Sequence, residues 1–264
     1  MSAALADWAD IPALHWQGGP LDCAACVHAD LRAAGGCEPG RLCMQDGYAR
    51  RIDRFFDRHP GLAGQHLAHA YFEVRAIAAR HADVFQLPAL MDDVDETVRM
   101  QVVLRLPQRQ LLRMREDPHR EVRIRVAQRL ADEHLASMQG DADYHVRAIV
   151  ARRMPLALLS CLIGDVDTMV RREVAARVGM PSLWRMAGDR EPEVRRIVAE
   201  RLPAALLGTF VHDTDLLVRW EAAGRAEPPV LARLAGDAEP EIRERARARL
   251  AQPQSDPTPE PEHG

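Results

Sequence analysis

Residues 189 to 212 read DREPEVRRIVAERLPAALLGTFVH, and the chain repeats this plan along most of its length. With Val194 as position 0, an aliphatic residue followed by arginine recurs at Val74, Val98, Val122, Val146, Val170, Val194, Val218 and Ile242, in steps of 24 residues. Position +4 is Ala or Val throughout, and +13 is leucine from Leu87 to Leu231. Position +16 is Leu, Met or Phe, aspartate stands at −5 from Asp93 to Asp237, and arginine stands at +7 from Arg105 to Arg249. Self-similarity at a fixed period of this size is the signature of a repeat architecture.

The spacing translates into shape. Apolar residues at 0, +4, +5 and +8 form one face of a helix of about three turns. The acid at −3 in most repeats stands where an N-cap belongs, and Pro192 and Pro240 follow such acids at the first helical position, where a missing N–H is harmless. Pro107, Pro155 and Pro203 at +9 end that helix. Positions +11 to +17 leave room for only a turn or two, and the spacing of three between +13 and +16 suits a short 3₁₀ or α piece equally well. No segment carries the alternation of a leucine-rich-repeat strand, and the unit is too short for two full helices of the HEAT or tetratricopeptide kind. The expectation is an all-α solenoid in which a longer helix and a very short one alternate, each unit burying its apolar columns against its neighbours.

The flanks differ from the repeats. Tyr48, Ile52, Phe55 and Phe56 predict an amphipathic helix leading into them, and AQPQSDPTPEPEHG from 251 onward is Pro-rich and polar, hence expected to be disordered. The domain reading is therefore 1–60 for an N-terminal cysteine-bearing domain with its connecting helix, 61–250 for about eight repeats, and 251–264 for the tail. Over 264 residues the content is 47% hydrophobic and 5% aromatic, ample for a core. The first twenty residues carry Asp7 and Asp10 without a basic cluster, and the longest apolar run, MPLALLSCLIG at 154–164, is too short to span a bilayer. A cytoplasmic protein with no membrane association is expected, and in that compartment clustered cysteines read as metal ligands before disulfides.

Four of the five cysteines, Cys23, Cys26, Cys37 and Cys43, stand in CAACVHADLRAAGGCEPGRLC, spaced C-x2-C-x10-C-x5-C. A C-x2-C turn presents two thiolates to one centre, and two more complete a four-thiolate shell for zinc or an iron–sulfur cluster. Structural zinc is more often held by two tight knuckles, and the second pair here is looser, which tilts the spacing toward iron.

Together, the 24-residue unit V-R-x-x-V/A-A-x-R-L-P with Leu at +13 and Asp at −5, preceded by four cysteines, resembles the leucine-rich repeat variant family of bacterial iron–sulfur proteins. The resemblance covers residues 20 to 250. It implies a small N-terminal domain holding a [4Fe-4S] cluster on Cys23, Cys26, Cys37 and Cys43, followed by a right-handed superhelix of alternating α and 3₁₀ helices. It brings no established activity.

Cys161 stands at +15 in a mostly polar column and reads as incidental rather than as a reactive thiol; His28, between the second and third ligands, could tune a cluster by hydrogen bonding, but a solvated histidine is the commoner case. His81, His119, His145 and His212 show no ligand spacing. All 35 basic residues are arginine, a bias that a GC-rich genome explains, and net charge is −4. Residues 61–250 hold 29 basic and 28 acidic side chains, so the +1 arginines are expected to pair with acids of neighbouring repeats rather than to form a strip for nucleic acid. No phosphate loop, nucleophile elbow or metalloprotease motif is present. The functional expectation is a non-enzymatic iron–sulfur protein whose solenoid binds a protein partner. An electron carrier or cluster-dependent enzyme is the alternative, and a zinc-stabilised scaffold a third reading.

Overall fold

The computed structural model describes residues 11–252. The disorder expected of the tail falls on residues 253–264, outside those described. The chain divides into two compact units, the first ending at His134 and the second beginning at Leu135. Among the described residues there is no strand beyond isolated bridges, and no helix is long and apolar enough to cross a membrane.

The longer helices sit where the 24-residue pattern places them. The first unit contains α1 (Ala29–Ala33), α2 (Ala49–Arg58), α3 (Phe72–His81), Glu96–Val103 and Arg120–Arg129. The second contains Tyr144–Arg153, Thr168–Ala175, Pro192–Arg201, Leu216–Arg225 and Pro240–Leu250. Most of the short pieces between them are 3₁₀, as in Val84–Leu90, Leu156–Leu162 and Ala204–Phe210, whereas Ser182–Arg185 and Pro228–Leu234 are α. The alternation also reaches back before the first clear repeat, because α2 is followed by a 3₁₀ helix over Pro60–His66.

Burial follows the columns. Val74, Val98, Val122, Val146, Val170, Val194, Val218 and Ile242 at position 0 are wholly inaccessible, and the leucines at +13 and the apolar residues at +16 are buried with them. The starts of the helices are capped as the acids at −3 predict. Asp95, Asp167 and Asp215 accept hydrogen bonds from the backbone N–H groups of Thr97 (2.8 Å), Met169 (2.8 Å) and Leu217 (2.9 Å). Glu191 and Glu239 hold the same place without such a bond, with Pro192 and Pro240 at the first helical position. Asp215 also accepts from Val218, so Asp215→Ala is expected to cost about 1 kcal/mol in urea unfolding, whereas Glu191→Ala is expected to be near neutral.

Within each unit, two arginine columns join a repeat to its neighbours. The +1 guanidinium forks onto the −5 aspartate of the following repeat through two hydrogen bonds, seen in Arg75–Asp93 and Arg99–Asp117 of the first unit. The second unit has Arg147–Asp165, Arg171–Asp189, Arg195–Asp213 and Arg219–Asp237. The remaining terminal nitrogen donates to the carbonyl of its own repeat's −5 residue, as from Arg171 to Asp165 (2.9 Å). Each such aspartate also accepts a backbone N–H two residues on, as Asp165 does from Asp167 (2.8 Å). These side chains are buried or nearly so, and the expected pairing of acids and arginines is an interior network rather than a surface strip.

The +7 arginines reach the other way. Arg201 donates to the carbonyls of Ala175 and Val178, and Arg225 to those of Ala199 (2.7 Å) and Leu202 (3.1 Å). These are carbonyls at the C-terminal end of the preceding helix, left without intrahelical partners. A cation at that end is also favoured by the helix dipole.

Candidate metal centre

The local chain around the cysteines is held by turns and by α2. Asp22 accepts from the N–H groups of Ala24 (3.0 Å) and Ala25 (3.1 Å), closing the turn that carries Cys23 and Cys26. Helix α1 follows and ends where Gly35 takes φ +72° and the Gly36 N–H bonds the Leu31 carbonyl. Cys37 comes next. A tight return between Glu38 and Leu42, with Gly40 at φ +80°, delivers Cys43. Gly35 and Gly40 occupy the left-handed region that a side chain disfavours.

Three links fasten this loop to the helices behind it. The His59 Nε2 donates to the Gly36 carbonyl (2.6 Å). The Cys43 N–H bonds the Arg51 carbonyl (3.1 Å). The rings of His28 and His66 share a hydrogen bond between their Nε2 atoms (2.8 Å). Arg51, itself buried, binds Asp46 and the carbonyls of Ile11 and Pro12, and so ties the start of the described chain to α2.

The structure thus corrects the expectation for His28, which is buried rather than solvated. Its own N–H lies 3.5 Å from the Cys26 sulfur, so it is both a link to α2 and a donor toward a ligand. His59 and His66 are not candidates on sequence grounds, since no spacing unites them with the cysteines. Their one sequence signal is density, because four of the eleven histidines lie between residues 59 and 81.

Electrostatics bring the four thiols together. Burial raises the pKa of Cys37, and Cys26 and Cys23 raise it further, against a smaller opposing effect of Arg32. Cys43 is pushed up to about 11, chiefly by burial, with Asp46, Cys26 and Cys37 adding to it against a backbone bond from Gln45. Such thiols are protonated at neutral pH until a cation replaces the protons, which is the linkage expected of a metal shell. All four are free of disulfides; Cys43 is buried and the other three are half-buried. A single tetrahedral zinc at ~2.3 Å from each sulfur draws them to about 3.8 Å. Four free thiols on one loop suit that shell and equally the four-thiolate shell of an iron–sulfur cluster.

Cys161 is remote from this loop in sequence and exposed. Its thiol donates to Gln139 (2.7 Å), and burial of the sulfur raises its pKa, so it has the character of an unreactive thiol.

His66 yields a pH prediction. Burial, followed by the charges of His28 and His69, pushes it down from 6.5 to about 4. Because the folded value lies below the unfolded one, the stability held by the neutral ring is whole above pH 6.5 and is lost as pH falls toward 4. At about 1.4 kcal/mol per unit the loss reaches roughly 3 kcal/mol. Urea midpoints measured across this range are expected to fall with pH, and to fall less in His66→Gln.

Comparison with known proteins gives a consistent result. Residues 13–65 match the family model described as LRV protein FeS4 cluster, and residues 192–215 match the leucine rich repeat variant model. A Rhodobacter capsulatus protein, described as an uncharacterized 27.7 kDa protein in the nifB 3' region, is 51% identical over 94 residues, which span 36% of this chain and 38% of that protein. A solved structure, described as a leucine-rich repeat variant with a novel repetitive protein structural motif, is 44% identical, covers 88% of this chain and 100% of its own, and superposes with a TM-score of 0.79.

Proposed function

Since the chain belongs to the leucine-rich repeat variant family and carries that family's iron–sulfur segment, we propose that Cys23, Cys26, Cys37 and Cys43 hold a [4Fe-4S] cluster that makes a protein-binding solenoid responsive to redox state or oxygen. The observation that carries this reading is the exposure pattern of the ligands: Cys43 is buried, while Cys23, Cys26 and Cys37 are half-buried. When bound, the cluster supplies a reducible centre whose potential depends on solvent access and on hydrogen bonds to sulfur. The chain provides both levers, an open side at three cysteines and a backbone N–H of His28 beside the Cys26 sulfur.

A role without catalysis fits the repeats. Their buried arginines and aspartates are paired, and both recur in fixed columns. What remains for recognition is surface: Phe85 and Val94 in the first unit, and Leu156, Val166 and Leu217 in the second, are large apolar side chains left exposed. Such side chains suit a protein partner better than nucleic acid. The match of residues 13–65 to the family's iron–sulfur segment supports iron over zinc. A second reading, electron transfer to a partner, is favoured by Val27, 76% exposed between Cys26 and Cys37, as an apolar contact beside the ligands.

Protein purified without oxygen is expected to contain about four irons and four sulfides per chain, with a visible absorption band that reversibly changes on reduction. One zinc without sulfide would overturn the proposal. A cluster that cycles rapidly with a small electron donor would favour the carrier reading.

A further inference from the structure

We propose that Asp53, Asp57 and His81 form a second metal site, separate from the four cysteines, that binds a divalent cation of the zinc class and clamps α2 to α3. The clue is a break in the repeat pattern. Position +7 is arginine from Arg105 to Arg249, and in the first repeat it is His81. Where the later arginines described above donate to carbonyls of the preceding helix, the His81 Nε2 faces two carboxylates of α2, 3.5 Å from the Asp53 Oδ1 and 3.7 Å from the Asp57 Oδ1.

The three groups have the geometry of ligands around one ion. One atom from each lies within 4.8 Å of the others, close enough for small side-chain shifts to bring all three to ~2.0–2.2 Å from one ion. Asp53 and Asp57 stand four residues apart on one helix, where two like charges repel unless a cation lies between them. The Asp53 Oδ1 and the His81 Nε2 are shielded from solvent, and neither makes a hydrogen bond. The imidazole is fixed against Phe56, with ring centroids 6.3 Å apart. A competing cation is Arg80, whose Nη1 lies 3.0 Å from the Asp53 Oδ1 without making a hydrogen bond to it. Its side chain is 48% exposed, so it can leave toward solvent. Asp57 is 65% exposed and provides the open side, through which an ion enters and on which water completes the coordination. One imidazole and two carboxylates form a set suited to zinc or a neighbouring first-row ion.

The test uses the full chain with its iron–sulfur centre loaded, dialysed without oxygen against micromolar Zn²⁺, with zinc and iron measured together. One zinc per chain with iron unchanged is the expected result. Asp57→Asn is expected to weaken zinc binding by about tenfold or more, and His81→Gln to abolish it, with the iron content of both variants kept. Asp57 is exposed enough for its variant to fold, so the test does not depend on His81→Gln being stable. Failure to retain zinc would leave only a contact between the imidazole and the carboxylates. Equal retention by wild type and variants, or zinc gained at the expense of iron, would place the ion elsewhere. Any of these three outcomes overturns the proposal, and iron and sulfide measured before dialysis report on the cysteines independently of it.

Discussion

Asp165→Asn is expected to destabilise the second unit by about 3 kcal/mol or more, among the largest effects of any single charge change in the repeats. The Arg147 guanidinium donates to both carboxylate oxygens, at 2.7 and 2.9 Å, in a pair that is 10% and 6% exposed. Asparagine retains one acceptor oxygen but turns an amide N–H₂ toward the guanidinium and leaves its charge without a counter-ion. A buried charge stripped of its partner is costly because water cannot replace what is lost. The companion Arg147→Met removes the stranded cation, so the double variant is expected to recover part of the loss. Urea unfolding of the four proteins in a cycle measures the coupling. A single-variant loss below about 1 kcal/mol would show the pair to behave as a surface bridge does.

The same network predicts acid behaviour. Burial raises the carboxyl pKa values of Asp93, Asp165, Asp213 and Asp237, but the arginine forks and backbone N–H bonds outweigh it and hold all four below their ordinary 3.8. Their contribution is therefore whole above pH 3.8 and disappears as pH falls through the lower folded values. The His66 effect is felt earlier, between pH 6.5 and about 4, so acid weakening comes in two stages.

Cys43→Ser is expected to reduce iron and sulfide from about four per chain to nearly none, with loss of the visible band. Cys43 is the buried member of the shell, and its N–H is bonded to the Arg51 carbonyl. The serine oxygen in its place is a harder, poorer donor to iron than the thiolate. Cys161→Ser, altering the exposed thiol bonded to Gln139, is expected to leave iron content unchanged. Retained helicity by circular dichroism in Cys43→Ser would show that the repeats fold without the centre. Undiminished iron in Cys43→Ser would remove this residue from the ligand set.

The repeat frame was legible because its signals are local and recur. A column such as +13 is leucine seven times over, and capping acids, proline stops and arginine–aspartate pairs all keep fixed offsets. The conformation of the short pieces was not legible, because side chains three apart fall together in either helix type. Thus Ala204–Phe210 is 3₁₀ and Pro228–Leu234 is α although both bury the same two columns. The cysteines announced themselves by spacing. Their supports did not, because the contact of His28 with His66 spans 38 residues, and that of His59 with Gly36 spans 23. The link between His81 and α2 was hidden for the same reason, and reading single positions for ligand spacing missed it.

The two arginine columns also restrict how such a chain can change length. One reaches forward to the next repeat's aspartate and the other back to carbonyls of the previous helix, with separations of 18, 23 and 26 residues along the chain. Duplicating or deleting a whole unit of 24 residues reproduces each of these separations at the new junction. Gaining or losing a single residue within a unit displaces donors from acceptors on both sides at once. Such a chain can therefore grow or shrink by entire modules, while an insertion or deletion of one or two residues inside a module is expected to destabilise it.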